Sequence, residues 1–347
     1  MRASRLIPAA LAAAAMSLLA ACGSTPADEQ GDGTTDQVGT AGTFPIEIEH
    51  AFGTTTITER PERIATVAWS NHEVPIALGV VPVGMAAASW GDDDGDGVLP
   101  WVEDALAELG AETPVLFDET DGIDFEAVAG TQPDLILATY SGLTEEDYAT
   151  LSKIAPTVAY PEVAWGTSYQ DMIRISSTAM GLAAEGEALV ADLQDQAEAA
   201  LAEHPELADA TVLFAWIDQS DMSQVGFYTS HDTRPGFLAD LGLPLPTVVK
   251  DESAATEAFF VTVSAEEADR FADVDLLVTY GDPQGDLVSR FQADSLLSTI
   301  PAVAEGRVAV LADSTPLAAS ANPSPLSIGW GVKEYLAVLA APLERAG

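Results

Sequence analysis

A long amphipathic helix predicted near the middle of the chain constrains the fold more than any other feature. Over Glu185–Glu203, apolar residues recur at every fourth position (Leu189, Leu193, Ala197 and Leu201), and acidic residues occupy much of the remaining surface. A helix of this length would span roughly 28 Å, about the width of a small domain. Strands and helices alternate on both sides of it. We therefore predict an α/β protein of two Rossmann-like lobes with mostly parallel sheets, bridged by this one helix.

The length of 347 residues is typical of two domains. The predicted segments are a signal peptide (residues 1–21), a flexible tether (22–42), an N-terminal lobe (43–168), an interlobe helical segment (169–206) and a C-terminal lobe (207–347). A helix is predicted to start at Ser168, and residues 313–325 are predicted as one long loop before the closing helix.

The first residues predict export. Arg2 and Arg5 precede the apolar run Leu6–Leu19, and the small residues before Cys22 resemble a cleavage site. The run is shorter than the ~20 residues that a membrane-spanning helix needs. The ending LAAC resembles the bacterial lipobox, which implies that Cys22 is lipidated and that the protein is anchored at the extracytoplasmic face of the cell membrane. An ordinary cleavage site with a spare thiol is the alternative.

The charge of the chain argues against nucleic acid as a partner. The 55 acidic residues outnumber the 13 Lys and Arg residues and give a formal net charge of −42, whereas nucleic-acid binding needs clustered basic residues. Such a charge suits cationic ligands, high salt or a soluble exterior. We expect a monomer.

Aromatic and polar residues follow several predicted strands. In parallel sheets, ligands bind outside the carboxyl ends of the strands, and a site rich in aromatic side chains with a few polar groups is typical of small-molecule pockets. A buried tryptophan can equally belong to the core. The predicted ligand-binding residues are Trp69, Ser70, Asn71, Trp90, Tyr140, Trp165, Trp216, Tyr228, Arg234 and Tyr280.

The stretch of residues 92–103 matches the twelve-residue calcium loop D-x-[DN]-x-[DN]-G-x5-E in full. The predicted ligands are the carboxylates of Asp92, Asp94 and Asp96, the carbonyl of Val98 and the carboxylate of Glu103. A strand, rather than the usual helix, is predicted to precede the loop. The alternative is an acidic surface turn without an ion.

A weak internal repeat relates the two lobes. FEAVAGTQPDLILATY and AEEADRFADVDLLVTY both contain an acid, a short helix, an apolar strand and a Thr-Tyr pair. A helix that precedes a parallel strand begins on the side where the strands end, so Glu126 and Glu266 should lie on the cleft-side rims of their lobes. Alone, each could be a first-turn glutamate that stabilises the helix dipole.

The order of these and other segments resembles the substrate-binding lipoproteins of bacterial iron–siderophore ABC importers. The resemblance covers nearly all of the globular chain and is carried by GTTTITERPERIATV, ALGVVPVGM, FEAVAGTQPDLIL, LSKIAPTVAY, VSAEEADRFADVDLLV and IPAVAEGRVAVL. It implies two lobes joined by one long helix, and docking of Glu126 and Glu266 onto arginines of a membrane permease. The calcium-like loop is an addition to the family pattern.

The ligand that the resemblance implies is a ferric siderophore. Aromatic residues are abundant near the predicted cleft, whereas only Arg174 and Arg234 are arginines placed close to it, which favours a hydroxamate chelate over an anionic catecholate. Cobalamin or haem binding by the same fold is the alternative. No resident cofactor is expected apart from the possible structural Ca²⁺.

Other functions have weaker support. His50, His72, His204 and His231 are too scattered for a bare-metal site. The chain has no G-x-S-x-G elbow, P-loop or H-E-x-x-H motif, and adjacent residues such as Ser230, His231 and Asp232 do not easily form a relay. We therefore predict that the protein is not an enzyme. A purely structural surface lipoprotein is a further alternative.

Overall fold

The computed structural model describes residues 42–344. The predicted signal peptide, Cys22 and residues 22–41 of the tether lie outside the described residues. At the start of the described chain, the amide of Gly42 donates to the carbonyl of Gly181 (3.1 Å). Among the described residues, none of the helices has the length and hydropathy that crossing a membrane requires.

The N-terminal lobe begins with a hairpin and continues as a five-stranded parallel sheet. The hairpin strands are β1 (Ile46–His50) and β2 (Gly53–Ile57), and the sheet strands are β3 (Ile64–Thr66), β4 (Gly84–Ala86), β5 (Val115–Phe117), β6 (Leu135–Ala138) and β7 (Thr157–Ala159). The sheet order is β5-β4-β3-β6-β7. The chain order therefore reverses at β3, and this reversal opens a crevice at the carboxyl ends of β3 and β6.

Five helices accompany this sheet: α1 (Glu73–Ala77), α2 (Pro100–Glu108), α3 (Phe125–Gly130), α4 (Glu145–Leu151) and α5 (Tyr169–Ala179). Their starts follow recognisable capping chemistry. Thr144 and Asp147 form a reciprocal capping box at α4, and the Ser168 side chain accepts a bond from the Asp171 amide at α5. The predicted start of α5 at Ser168 is thus reproduced.

The predicted interlobe helix is present as α6 (Ala183–Ala202). Its fully buried positions are Gly186, Val190, Leu193, Ala197 and Ala200. They are spaced by four and three residues in alternation, as 3.6 residues per turn requires. A strict four-residue spacing drifts off this face, which is why the predicted stripe residues Leu189 and Leu201 are only half-buried.

The C-terminal lobe has a second five-stranded sheet with the same order of connections. Its strands are β8 (Val212–Trp216), β9 (Gln224–Tyr228), β10 (Phe260–Ser264), β11 (Leu276–Gly281) and β12 (Val308–Ala312), in the order β10-β9-β8-β11-β12. This sheet is mixed, because β9 runs antiparallel to both of its neighbours. The connection from β8 to β9 is too short for the helical crossover that a parallel pair needs.

The helices of this lobe are α7 (Thr233–Asp240), α8 (Thr247–Ala255), α9 (Leu287–Ala293), α10 (Pro301–Ala304), α11 (Pro316–Ser320) and α12 (Ser327–Glu344). Short 3₁₀ helices cover Pro205–Leu207, Ala265–Phe271 and Leu297–Thr299. The prediction of two α/β lobes is confirmed. The region predicted as one long loop before the last helix contains α11.

The two lobes have hydrophobic clusters of their own and share a further one, so they are not joined by α6 alone. A single buried cluster contains Val74 of α1, Ile173 of α5, Leu193 of α6 and Leu336 of α12. In addition, α11 packs against the N-terminal lobe, where its residue Ala319 lies directly over Gly91. No side chain fits at position 91, because its Cβ would lie 2.5 Å from the Cβ of Ala319. The backbone of Gly91 also has φ +83°. Extensive shared packing of this kind opposes a wide hinge motion between the lobes.

Candidate ligand-binding cleft

Two adjoining cavities lie at the carboxyl ends of the strands. The interlobe cavity, of about 280 Å³, is lined by Trp69, Tyr140 and Trp165 from the N-terminal lobe and by Tyr228, Asp232, Arg234, Phe259 and Asn322 from the C-terminal lobe. The N-lobe cavity, of about 560 Å³, lies beside it and is lined by N-terminal residues alone. Trp69 and Trp165 line both cavities, so a single ligand in contact with these two rings can occupy both.

Arg234 is held in one position at the wall of the interlobe cavity. Its Nη1 donates to Oδ2 and Oδ1 of Asp232 at 2.8 and 3.0 Å, and its Nε donates to the hydroxyl of Tyr280 at 3.0 Å. The guanidinium carbon also lies 4.3 Å from the centre of the Tyr228 ring, which is a cation–π distance. The side chain is 15% exposed and that of Asp232 is 2% exposed. A polar ligand therefore meets a guanidinium that is already oriented and whose charge is already neutralised by Asp232.

Tyr280 supports this arrangement. Burial raises the pKa of Tyr280 to about 12, so the hydroxyl stays protonated at neutral pH. Because its oxygen accepts the Arg234 Nε–H, its own proton is free for another acceptor. The ring packs edge-on against Trp90, with 5.4 Å between the centroids, and this contact joins the two lobes at the rim of the cleft.

The aromatic wall of the N-terminal lobe is built around Trp165. The residue has φ +61°, a strained conformation for a bulky side chain, and its amide donates to the Ser141 carbonyl (2.9 Å). A Cβ at position 142 would lie 2.3 Å from the indole Nε1, so Gly142 is needed for the ring to sit there. The indole meets Tyr140 edge-on at 5.3 Å. The Tyr140 hydroxyl in turn accepts a bond from Asn322 Nδ2 of the other lobe (3.0 Å).

The N-lobe cavity is acidic. Asp118, Glu119 and Asp147 line it, and no Lys or Arg is among its lining residues in the described chain. Oε2 of Glu119 accepts the Ala68 amide (2.9 Å), whereas Oε1 is buried without a partner. Burial raises the pKa of Glu119 to about 7. His72, also on this wall, is buried with Nδ1 unpartnered, and burial lowers its pKa to about 4, so its ring is neutral at neutral pH.

The structure brings most of the predicted ligand-binding residues together. Those that line one or both cavities are Trp69, Ser70, Tyr140, Trp165, Tyr228 and Arg234. Trp90 and Tyr280 line neither cavity. Tyr280 accepts a bond from the lining residue Arg234, and Trp90 packs against Tyr280.

Asn71 and Trp216 lie elsewhere. The amide of Asn71 is fully buried and bonded: Nδ2 donates to the carbonyls of Val67 and Tyr140 (both 2.8 Å), and Oδ1 accepts from Thr139 Oγ1 and the Tyr140 amide (both 3.0 Å). It therefore fixes the ends of β3 and β6 rather than facing a ligand. Trp216 ends β8 but is 49% exposed and lines neither cavity.

Sequence reasoning missed several lining residues. Phe259 precedes β10, a strand that was not predicted, and Asn322 lies in the segment predicted as a loop. Asp232 was considered only as part of an implausible relay, although its position two residues before Arg234 allows it both to cap α7 through the Arg234 amide (2.9 Å) and to pair with the guanidinium. Glu119 gave no sequence signal, because its burial depends on tertiary packing.

Glu126 and Glu266 occupy equivalent places in the two lobes. Both are exposed, and each is the second residue of the helical segment between the third and fourth strands of its sheet: Glu126 in α3, and Glu266 in the 3₁₀ helix that follows β10. Because β10 runs parallel to β11 and ends at Ser264, Glu266 lies at the edge where the strands of that sheet end.

The calcium-like loop gathers its acidic side chains. Carboxylate oxygens of Asp92, Asp94 and Asp96 lie within 4.8 Å of one another. Glu103 is exposed and does not belong to this 4.8 Å group, although slight desolvation and the charges of Asp96 and Asp94 raise its pKa. Asp92 also accepts backbone bonds from Gly95 (2.9 Å) and Gly97 (2.7 Å). Calcium binding itself stays a prediction.

Comparisons with known proteins agree with this architecture. Residues 64–315 match the periplasmic binding protein family. The chain is 28% identical over 179 residues to the probable siderophore-binding lipoprotein YfiY of Bacillus subtilis, a match that covers 51% of this chain and 49% of YfiY. The chain thus spans about half the length of this curated relative.

Solved structures match more completely. PiaA of Streptococcus pneumoniae in complex with ferrichrome is 44% identical, with a TM-score of 0.83, and the match covers 87% of this chain and 100% of PiaA. A second structure of PiaA, an iron uptake ABC transporter substrate-binding protein, gives a TM-score of 0.78 at 44% identity, covering 86% of this chain and 99% of that one.

Proposed function

Because this chain belongs to the periplasmic binding protein family, we propose that it captures a ferric siderophore of the hydroxamate class outside the cytoplasm and delivers it to the permease of an ABC importer. The relatives support this choice of ligand: one is named as siderophore-binding, and another, PiaA, has been solved with ferrichrome. Ferrichrome is itself a ferric hydroxamate. These relatives are binding proteins of transport systems, which favours transport over catalysis.

The charge balance of the cleft carries the proposal. In a ferric trihydroxamate, three singly charged hydroxamates cancel the charge of Fe³⁺, whereas three catecholates leave a strongly anionic complex. Arg234 is the one Lys or Arg residue that lines either cavity in the described chain, and Asp232 already pairs with it. Asp118 and Asp147 add negative charge, and Glu119, whose pKa burial raises to about 7, adds only part of a charge at neutral pH. An anionic chelate is repelled by such a cleft, and a neutral or cationic one is not.

The remaining parts of the proposal concern location and delivery. A lipid on Cys22 would hold the protein at the membrane, and the tether of residues 22–42 would give the lobes reach. Glu126 and Glu266 would dock onto arginines of the permease, because they are exposed and stand at equivalent places on the two lobes.

A fluorescence titration tests the ligand assignment. Fe³⁺ chelates quench nearby tryptophans, and Trp69 and Trp165 line both cavities. We expect saturable quenching by ferrichrome, and little by a ferric tris-catecholate, cobalamin or haem. Trp165→Phe should reduce the quenching amplitude, whereas the matched change Trp216→Phe, outside the cavities, should leave the ligand-dependent signal intact. Saturable binding of only cobalamin or haem would contradict the proposal.

A further inference from the structure

The side chain of Asn322 joins the two walls of the interlobe cavity. Its Nδ2 donates to the hydroxyl of Tyr140 in the N-terminal lobe at 3.0 Å, and its Oδ1 accepts from the hydroxyl of Thr233 in the C-terminal lobe at 2.5 Å. A carboxamide can form both bonds at once, because it carries an acceptor and a donor side by side. Asn322 itself lines the cavity and is 8% exposed. The bridge between the lobes therefore lies at the ligand site itself.

Each end of this bridge leads to a residue that the ligand is expected to meet. Tyr140 lines the interlobe cavity and packs edge-on against the Trp165 indole, with 5.3 Å between the ring centroids. Thr233 lines neither the interlobe cavity nor the N-lobe cavity. It is, however, the first residue of α7 and directly precedes Arg234. Asn322 consequently sets the spacing between the aromatic wall of one lobe and the guanidinium of the other.

The segment that carries Asn322 is itself fixed. The five residues before Leu326 are all buried, and Pro323 and Pro325 restrict the backbone there. The amide of Leu326 donates to Oε2 of Glu73, a fully buried side chain of the N-terminal lobe (2.9 Å). Because this anchor does not involve Asn322, the segment should stay in place when the bonds of Asn322 are removed. Only the side chains that Asn322 joins would then be released.

We propose that Asn322 is a positioning residue of the siderophore site, which holds Tyr140 and α7 at the separation that the ligand requires before the ligand arrives. This inference rests on the proposed function, since it concerns the affinity for the same ligand. A site whose side chains are already held in place loses less conformational entropy on binding than one that the ligand must order. Removing either bond of Asn322 therefore weakens ligand binding, even where the altered residue does not line the cavities.

Thr233→Val is the sharpest test. It removes the hydroxyl that bonds Asn322 and nearly keeps the shape of a side chain outside both cavities. We expect the Kd for ferrichrome to rise about fivefold, an effect of the order of one neutral hydrogen bond. Thr247→Val is the matched control, because Thr247 is also the first residue of a helix in this lobe and its hydroxyl donates to Asp273 (2.6 Å) outside the cavities. It should bind ferrichrome with the wild-type Kd.

A double-mutant cycle locates the effect in the bridge. Asn322→Leu nearly keeps the side-chain volume, loses both bonds and should raise the Kd about tenfold. Adding Thr233→Val to it should change the Kd no further, because the bond between the two side chains is already absent. Tryptophan quenching gives each Kd at a temperature where thermal unfolding shows that the variant is folded. Under that condition a loss of stability alone leaves the Kd unchanged.

The outcomes separate this inference from the proposed function. A wild-type Kd in Thr233→Val, or fold-changes of Thr233→Val and Asn322→Leu that multiply in the double variant, would overturn the role of Asn322 and leave siderophore binding in place. A Kd raised equally in Thr247→Val would do the same. Failure of the wild type to bind ferrichrome would overturn the proposed function as well. If Asn322→Leu does not fold, the comparison of Thr233→Val with Thr247→Val decides.

Discussion

The guanidinium of Arg234 and the carboxylate of Asp232 form a buried ion pair at the wall of the interlobe cavity, with Nη1 at 2.8 Å from Oδ2 and 3.0 Å from Oδ1. Breaking such a pair by removing one partner is strongly destabilising, because the other charge stays buried. The pair therefore fixes the polar end of the cleft before any ligand arrives.

Replacing Arg234 by Lys keeps the charge but removes the fork that bonds Asp232 and Tyr280 together. We expect the Kd for ferrichrome to rise about tenfold, since at least one charge-assisted hydrogen bond is lost. Tryptophan quenching measures the change. The matched control is Arg290→Lys, because Arg290 bonds Gln219 outside the cavities. Equal Kd values for the two variants would contradict a ligand-binding role for Arg234.

Charge reversal at Glu126 and Glu266 should separate binding from transport. Both side chains are exposed and outside the cavities, so the double variant Glu126→Arg/Glu266→Arg should keep its affinity for ferrichrome and lose siderophore uptake in cells that depend on this protein. Radiolabelled iron uptake measures the loss. Glu49→Arg/Glu344→Arg makes the same change in charge at exposed positions elsewhere and should transport normally. A double variant that takes up iron at the wild-type rate would refute the docking role.

If the loop of residues 92–103 binds Ca²⁺, a chelator should lower the melting temperature, because an ion that binds only the native state stabilises it. Glu103→Gln is the sharper test, since Asp92 also holds the loop through backbone bonds. With the bidentate ligand lost, the variant should melt at the same temperature with and without chelator. A wild-type melting temperature that Ca²⁺ and chelator leave unchanged would show that the loop is an acidic turn.

Glu73 predicts a pH dependence of stability. This fully buried side chain of α1 accepts bonds from Trp101 Nε1 and, across the lobes, from the Leu326 amide (both 2.9 Å). Burial outweighs these bonds and raises its pKa from 4.5 to about 6. Between these values the folded state holds a proton that the unfolded state has lost. The contribution of Glu73 to the free energy of unfolding therefore falls as the pH rises, by about 2 kcal/mol in total.

The test compares denaturant unfolding of the wild type and Glu73→Gln from pH 4.5 to pH 7. Because Gln does not titrate, the stability difference between the two proteins should change over this range and level off above it. Glu62→Gln removes an exposed carboxylate, so its free energy of unfolding should change with pH in the same way as that of the wild type. If the stability difference between Glu73→Gln and the wild type does not change with pH, the pKa of Glu73 is not raised in the folded protein.

The sequence predicted the parts of the fold that local patterns determine. Strands such as Leu135–Ala138 and Leu276–Gly281 are continuous apolar runs, and α5 begins at a serine cap. In contrast, β5 has three residues and ends its sheet, with Val115 53% exposed, so it carries little hydrophobic signal. The antiparallel direction of β9 follows from the short connection after β8, a signal that the prediction of mostly parallel sheets did not use.

The candidate site, like the fold, could be predicted only where strand ends determine it and not where contacts between distant residues do. Topology placed Trp69 correctly at a strand end beside the cleft, because the carboxyl ends of parallel strands share one edge. Tyr228 also lines the cleft, but it ends the antiparallel strand β9, to which this rule does not apply. The same rule included Trp216, which the end of β8 turns toward solvent. It could not include Asn322, whose contact with Tyr140 joins residues far apart in the chain. Burial of Glu119 likewise arises only when the lobe is assembled.

The packing of α11 against the N-terminal lobe has a consequence for the order in which the chain folds. Ala319 belongs to the same hydrophobic cluster as Ile76, Met85 and Trp101. This cluster of the N-terminal lobe therefore cannot be completed until α11, near the carboxyl end of the chain, has been synthesised. Chains that fold domain by domain complete their N-terminal unit early. Here both lobes should instead become protease-resistant together and late, which makes the whole of residues 42–344 a single cooperative folding unit.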